Sequence, residues 1–72
     1  SKSEVEVTGV FTNRKNKTVT IEWIEQFSDG RWEIINANND YKQLDAYNVL
    51  FTVAIPANAI KEIFFEALIH KN

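Results

Sequence analysis

The chain has no cysteine and no methionine among its 72 residues, and it has only one proline and two glycines. Without cysteine there can be no disulfide bond and no cysteine-ligated zinc site. A chain of this length forms one domain, which buries only about 60% of the surface that its unfolded form exposes. Large side chains must therefore supply the core, and five Phe, two Trp and two Tyr are available for it.

A strong charge of either sign is also missing, because eight Lys and Arg stand against ten Asp and Glu. Domains that bind nucleic acid usually carry a basic face and a high pI, so we expect no nucleic-acid partner. No run of 18 apolar residues occurs, which predicts that no segment spans a membrane. We expect a single domain over residues 1–72 that belongs to a longer protein.

Groups that could carry catalysis are few. The single histidine is His70, close to the chain end, where side chains are usually solvated. The three serines are Ser1, Ser3 and Ser28, so a nucleophile with a histidine base beside it is not expected. We therefore predict no catalytic residue and no cofactor.

Carboxylates offer two further possibilities. Glu22 and Glu33 would face each other across a symmetric hairpin, but a domain of this size has little volume left for a substrate cleft. Asp45 and the Asn38–Asp40 segment carry hard oxygens that calcium accepts, yet the spacing of an EF-hand loop is absent. We interpret these groups as solvent-facing sheet positions and polar turns, and we predict no metal site.

Alternating apolar residues predict the strands. The clearest alternation is at Val49, Phe51, Val53 and Ile55, within Asn48–Ile55, and Pro56 ends it because proline cannot donate to a sheet ladder. Similar alternation or composition predicts further strands at 4–12, 18–27 and 31–35, with a short fourth strand or a crossing between sheets at 41–44. The segment 36–40 is not expected to be regular.

The middle of the chain predicts a tight turn and a strand irregularity. Ser28–Arg31 contains glycine between two predicted strands and predicts a tight hairpin turn. Ile24 and Phe27 have opposite parity, so a β-bulge near Ile24 or Glu25 would place both on the inner face.

The last segment supports two interpretations. Ile63, Phe65, Ala67 and Ile69 alternate, which predicts a final strand over 60–69 that covers an open sheet edge. Ile60, Phe64, Ala67 and Leu68 also have helical spacing, and Asn58 could cap such a helix. The predicted fold is therefore a small antiparallel immunoglobulin-like β-sandwich of five to six strands, with an α+β fold carrying a C-terminal helix at 58–70 as the alternative.

The order of these motifs resembles a known family. The shared residues are a basic turn, two alternating strands, an Asp-Ala pair, a Pro-Ala ending and a last strand: Asn13, Arg14, Lys15, Val19, Ile21, Trp23, Gly30, Trp32, Ile34, Tyr41, Lys42, Asp45, Ala46, Val49, Phe51, Val53, Pro56, Ala57, Ile63, Phe65, Ala67 and Ile69. The pattern is similar to the C-terminal β-domain of the bacterial domain-of-unknown-function family number forty-one thirty-nine, which is described as mucoidy-inhibitor-like. The resemblance implies a sandwich at the C-terminal end of a longer bacterial protein, without catalytic residues. The chain departs from the family in its last segment, where IFFEALIH replaces a more polar alternation.

The remaining candidates are binding residues. Tyr41 and Tyr47 lie near turn sequences, where we expect partial exposure. Trp32 is a further aromatic that could meet a ligand, although in so small a chain without a disulfide a place in the core is favoured for it and for Trp23. Arg14 and Lys15 form a small basic cluster in the first turn. We expect a non-enzymatic structural or protein-interaction module that acts through an exposed sheet face or edge strand, whose partner is another protein or the rest of the parent chain. The alternative is a carbohydrate-binding module that uses the exposed aromatics.

Overall fold

The computed structural model describes residues 1–28 and 31–70. Six strands account for most of this part of the chain: β1 (Lys2–Thr12), β2 (Val19–Gln26), β3 (Trp32–Ala37), β4 (Asp40–Gln43), β5 (Asn48–Ile55) and β6 (Ile60–His70). They form two three-stranded antiparallel sheets with the orders β1-β6-β3 and β2-β5-β4. The all-β sandwich predicted from the alternation is confirmed.

The core lies between the two sheets and is built by the alternating residues of the central strands. Eight apolar side chains are buried there: Phe27, Val49, Phe51, Val53, Ile55, Ile63, Phe65 and Ala67. The rings of Phe51 and Phe65 stack across the sandwich with centroids 4.8 Å apart. Trp23 packs against both rings at 6.2 Å, which joins the two halves of the core.

The C-terminal segment is a strand, so the alternative with a helix at 58–70 is wrong. β6 is the central strand of its sheet and pairs with β1 on one side and β3 on the other. In this position Ile63, Phe65 and Ala67 are completely buried, as the alternation predicted. Asn58 caps no helix and instead has a φ of 58° in the turn that joins β5 to β6.

The predicted pairing of the second and third strands is wrong. β2 pairs with β5 and β3 pairs with β6, so these consecutive strands lie in different sheets. The turn predicted at Ser28–Arg31 falls partly outside the described residues. The connection there leads from one sheet to the other, and a glycine-containing turn sequence does not distinguish that crossing from a hairpin.

The predicted bulge in β2 is also wrong. β2 pairs with β5 in a continuous register, and Phe27 keeps the inward parity of the strand. Ile24 simply faces solvent with 58% of its surface exposed. The irregularity lies in β3 between Ile34 and Asn36, where the strand nevertheless continues to Ala37, beyond its predicted end at 35.

Candidate functional site

The strand β1 lies at one edge of its sheet. The side of Lys2–Thr12 that faces away from β6, in the plane of the sheet, is called the β1 edge. β1 pairs with β6 over all eleven residues without a break in register. No other strand in the described part of the chain pairs with it. The strand contains neither proline nor bulge, which are two of the usual devices that stop such an edge from pairing.

The direction of the backbone groups along β1 follows from the hydrogen bonds at its end. The amide of Asn13 donates to the carbonyl oxygen of Ala59 at 2.9 Å, so the odd-numbered amides face β6. On β6, the carbonyl oxygen of Phe64 and the amide of His70 bond to the β3 side, which agrees with this alternation. The even-numbered amides, from Lys2 to Thr12, therefore point out of the β1 edge.

An apolar groove opens beside the β1 edge, between β1 and β2. It has a volume of about 350 Å³ and lies at the C-terminal end of β1. Its lining consists of the apolar residues Phe11, Val19, Ile21 and Ile55 and of the segment Thr12, Asn13, Arg14 and Lys15. Further along, the Phe11 and Trp23 rings meet edge to face with centroids 5.9 Å apart. The two sheets therefore leave apolar side chains partly uncovered on this side of the sandwich.

Gly9 permits the close approach of β1 to Trp23. A Cβ atom at Gly9 would lie 2.9 Å from Cζ3 of Trp23 and 3.2 Å from a ring carbon of Phe11. The indole ring thus occupies the space of the missing side chain.

The basic turn after β1 is anchored by Asn13, the one buried polar residue of the described chain. Its Nδ2 donates to the carbonyl oxygens of Lys17, Ile55 and Pro56 at 2.7, 3.0 and 3.1 Å. Its Oδ1 accepts a hydrogen bond from the amide of Lys15 at 2.9 Å. These bonds hold the turn against the end of β5.

Two predicted site residues, Arg14 and Lys15, line this groove. Both are exposed, and they place positive charge at the C-terminal end of the β1 edge. Toward the N-terminal end of the edge, Glu4 and Glu6 are exposed on the outer face of the sheet. Lys2 is exposed on the same face at the start of the strand, so the N-terminal half of the edge carries two carboxylates and one ammonium group, and its C-terminal end is basic.

The predicted aromatic residues do not join this site. Trp32 stacks on Phe27 with ring centroids 4.4 Å apart, and its Nε1 donates to the carbonyl oxygen of Ala46 at 2.8 Å. Tyr47 is 49% exposed and lines an open pocket with Phe27 at the opposite end of the sandwich from Arg14 and Lys15. Tyr41, on the edge strand β4, is also 49% exposed, and its ring lies against Phe51 of β5. The predicted partial exposure of both tyrosines is confirmed.

Asp45 organises the loop next to Tyr47. Its Oδ1 accepts hydrogen bonds from the amides of Tyr47 and Asn48, both at 2.8 Å, and from Nδ2 of Asn48 at 2.9 Å. The bonds from Tyr47 and Asn48 hold the pKa of Asp45 below its ordinary value of 3.8, because they favour the charged carboxylate. Asp45 is therefore a loop residue, as the sequence interpretation had it.

The two carboxylates of the predicted pair, Glu22 and Glu33, lie apart. Glu22 lies opposite Thr52 on the outer face of one sheet, and Glu33 lies opposite Leu68 on the outer face of the other, so they do not face each other. Nε2 of His70 lies 3.5 Å from Oε1 of Glu33. Within residues 1–28 and 31–70, no group of three His, Asp or Glu side chains is placed to hold a metal ion.

Comparisons of the chain with protein-family models, curated proteins and solved structures found no match in any of the three. The family resemblance drawn from the motifs stays a prediction. No helix in the described ranges is both long and apolar enough to cross a membrane.

Sequence reasoning missed the role of β1 as the exposed edge. Its alternation is visible in the sequence, but alternation gives a strand two faces and does not name its neighbours. Asn13 was missed as an anchor because its partner Ile55 lies 42 residues away.

Proposed function

We propose that this domain is a non-enzymatic protein-interaction module that receives an extended segment of another protein along the β1 edge. The observation that carries the proposal is the row of outward backbone groups on alternate residues of this eleven-residue strand, with an apolar groove beside its C-terminal end. An added strand gains main-chain hydrogen bonds from such an edge, while alternate side chains enter neighbouring pockets. The proposal includes the immunoglobulin-like arrangement, the bacterial origin and the parent chain that the family resemblance implies.

The direction of the backbone groups supplies a sharp test. Proline at position 8 removes an amide that points out of the β1 edge, whereas proline at position 7 removes one that bonds to β6. We expect Thr8→Pro to fold and Val7→Pro to lose the β1–β6 ladder. The probe is an eleven-residue peptide of alternating valine and threonine with a neutral solubilising tail.

Amide NMR spectra of the wild-type domain should show shifts along β1 when this peptide is added, together with slower exchange of the even-numbered amides. The folded Thr8→Pro variant should bind at least tenfold more weakly. Equal binding by both proteins would overturn the proposal, and so would the absence of any shift in the wild-type protein at millimolar peptide.

The non-enzymatic part of the proposal is supported by the separation of Glu22 from Glu33. Glu22 and Glu33 lie on opposite outer faces, so no single substrate can meet both carboxylates. A turnover that disappears in Glu22→Gln or Glu33→Gln would contradict it.

A second candidate function is carbohydrate binding at the opposite end of the sandwich. The half-exposed Tyr47 lines an open pocket of about 470 Å³ with Phe27 and Gln26, which places an aromatic face beside polar groups. Titration with a panel of oligosaccharides should then shift the resonances of this pocket, and Tyr47→Ala should abolish the shifts. Tyr41→Ala is the matched control, since Tyr41 is equally exposed but lies on β4.

A further inference from the structure

The β1 edge carries side chains that select what binds to it. This inference rests on the proposed function. We infer that the edge takes an antiparallel segment with lysine or arginine on alternate residues of its C-terminal half and apolar residues between them. The outward backbone groups are common to any added strand, so the side chains decide the specificity.

Side chains of an added strand would continue the two faces of the sheet. Even-numbered residues of β1 lie on the outer face, because Val10 and Glu6 are exposed there while Val5 and Val7 pack on the core. Directly opposed residues of neighbouring strands have Cβ atoms about 4.5–5.5 Å apart. Residues of the partner that share the outer face therefore lie beside Glu4 and Glu6.

The charge already present on that face is unfavourable. Glu6 lies directly opposite Glu66 of β6, and Glu4 is the diagonal neighbour of Glu66. Like charges on opposed residues destabilise a sheet. Oε1 of Glu66 accepts a hydrogen bond from Nδ2 of Asn36 at 3.1 Å, which is a neutral partner and leaves the excess negative charge in place. Lys2 supplies one positive charge on this face against the three carboxylates of Glu4, Glu6 and Glu66. A cation on an added strand beside Glu6 and Glu4 would compensate the remaining negative charge.

On the core-facing side of the β1 edge, the partner should carry apolar side chains. Here the added strand would lie beside Val5, Val7 and Phe11, and its side chains would reach toward the groove lined by Ile21 and Ile55. Burying a charged group there without a partner is costly, so apolar residues are expected at these positions. The partner thus alternates basic and apolar residues.

The charges along the edge decide where the basic residues of the partner lie, and the strand direction then decides which half of the partner carries them. Arg14 and Lys15 at its C-terminal end repel a basic residue, whereas Glu4 and Glu6 attract one toward its N-terminal end. Antiparallel pairing is slightly more stable than parallel pairing. In an antiparallel strand, the positions beside Glu4 and Glu6 belong to the partner's C-terminal half.

Three peptides of equal length test the inference. The first has two lysines at the outer-face positions of its C-terminal half. The second has the same residues in reversed order, and the third has glutamines in place of the lysines. The first should bind about two- to fivefold more tightly per lysine than the glutamine peptide, and the difference should shrink at high salt. Glu4→Gln with Glu6→Gln should remove the preference. Glu22→Gln on the other sheet is the matched control and should keep it.

The outcomes separate this inference from the proposed function. Equal binding of all three peptides, abolished by Thr8→Pro, would refute the basic partner and leave edge binding standing. Tighter binding of the reversed peptide would refute the antiparallel orientation. A wild-type domain that forms a dimer, which Thr8→Pro dissociates, would also overturn the inference, because the edge would then be filled by an identical acidic strand. The absence of binding by every peptide would refute the proposed function itself.

Discussion

Replacement of Asn13 by alanine should be among the most damaging single changes in this domain outside its apolar core. The side chain is only 5% exposed and donates to the carbonyl oxygens of Lys17, Ile55 and Pro56 while it accepts from the amide of Lys15. A net hydrogen bond contributes about 0.5–1.5 kcal/mol, and a buried group that loses its partner costs about 1–3 kcal/mol. The two hydrogens of the side-chain amide serve three carbonyl acceptors, so the three bonds do not count as three full contributions. We therefore expect Asn13→Ala to lower the free energy of unfolding by about 2–4 kcal/mol.

That loss is large for so small a domain, whose total free energy of unfolding is expected to be about 4–11 kcal/mol. Urea unfolding followed by tryptophan fluorescence measures it, since Trp23 is partly buried and packs against the core. With a urea dependence near 1 kcal/mol per molar, the midpoint should fall by about 2–4 M. Asn16→Ala is the matched control, because Asn16 is an exposed residue of the same turn and should change stability by less than about 0.5 kcal/mol.

Asn13→Asp gives a second, independent check. The aspartate keeps the oxygen that accepts from Lys15 but directs a carboxylate at the carbonyl oxygens of Ile55 and Pro56. We expect it to be at least as damaging as alanine at pH 7 and less damaging near pH 3, where the protonated acid can donate one hydrogen bond. A midpoint for Asn13→Ala within 0.5 M of the wild type would refute the anchoring role.

Three further predictions concern other parts of the sandwich. Phe51→Ala should cost about 3–5 kcal/mol in urea unfolding, since the ring is completely buried against Phe65, and a loss below about 1 kcal/mol would contradict its central place. Gly9→Ala should cost about 1–3 kcal/mol and alter the near-ultraviolet circular dichroism of Trp23, because the new Cβ would lie 2.9 Å from the indole; an unchanged spectrum would show that the ring is not confined. The lowered pKa of Asp45 means that its carboxylate stabilises the loop at pH values above the ordinary 3.8, and this stabilisation is lost as the pH falls through the lower folded pKa. Asp45→Asn should remove that part of the acid dependence, which NMR titration measures. An identical titration of the two proteins would contradict the role of the carboxylate.

The strands could be predicted from the sequence, because alternation at Val49–Ile55 and Ile63–Ile69 directly reflects one buried face. Their neighbours could not, since every strand here satisfies the same period of two. The assumption that consecutive strands pair failed at β2 and β3, which belong to different sheets. The exposure of Ile24 was missed for a related reason, because an apolar residue was expected to face inward.

The candidate site was predictable only in fragments. Arg14 and Lys15 were identified from their charge, and they line the groove beside β1. Glu4 and Glu6 were not identified as binding residues. A carboxylate on a strand suggests a contact with an added strand only when that strand is known to lie at a sheet edge, and the sequence did not show this for β1. Trp32 was named as a binding candidate although a core position was favoured for it. Its indole N–H is bonded to Ala46 and its ring is stacked on Phe27, so both parts of the side chain contribute to the packing of the fold.

The pairing of the first strand with the last has a consequence for how the chain folds. Lys2 lies opposite His70 and Thr12 opposite Ile60, so every contact of this ladder joins residues 48–68 positions apart. β4 and β5 are the one pair of consecutive strands in the described chain that are hydrogen-bonded neighbours. Closing long loops costs entropy before any contact repays it, and domains dominated by distant pairings fold in milliseconds to seconds. We therefore expect slow folding that starts at the β4–β5 hairpin, with β1 joining last, so that the strand with the exposed edge is also the last part of the sheet to become ordered.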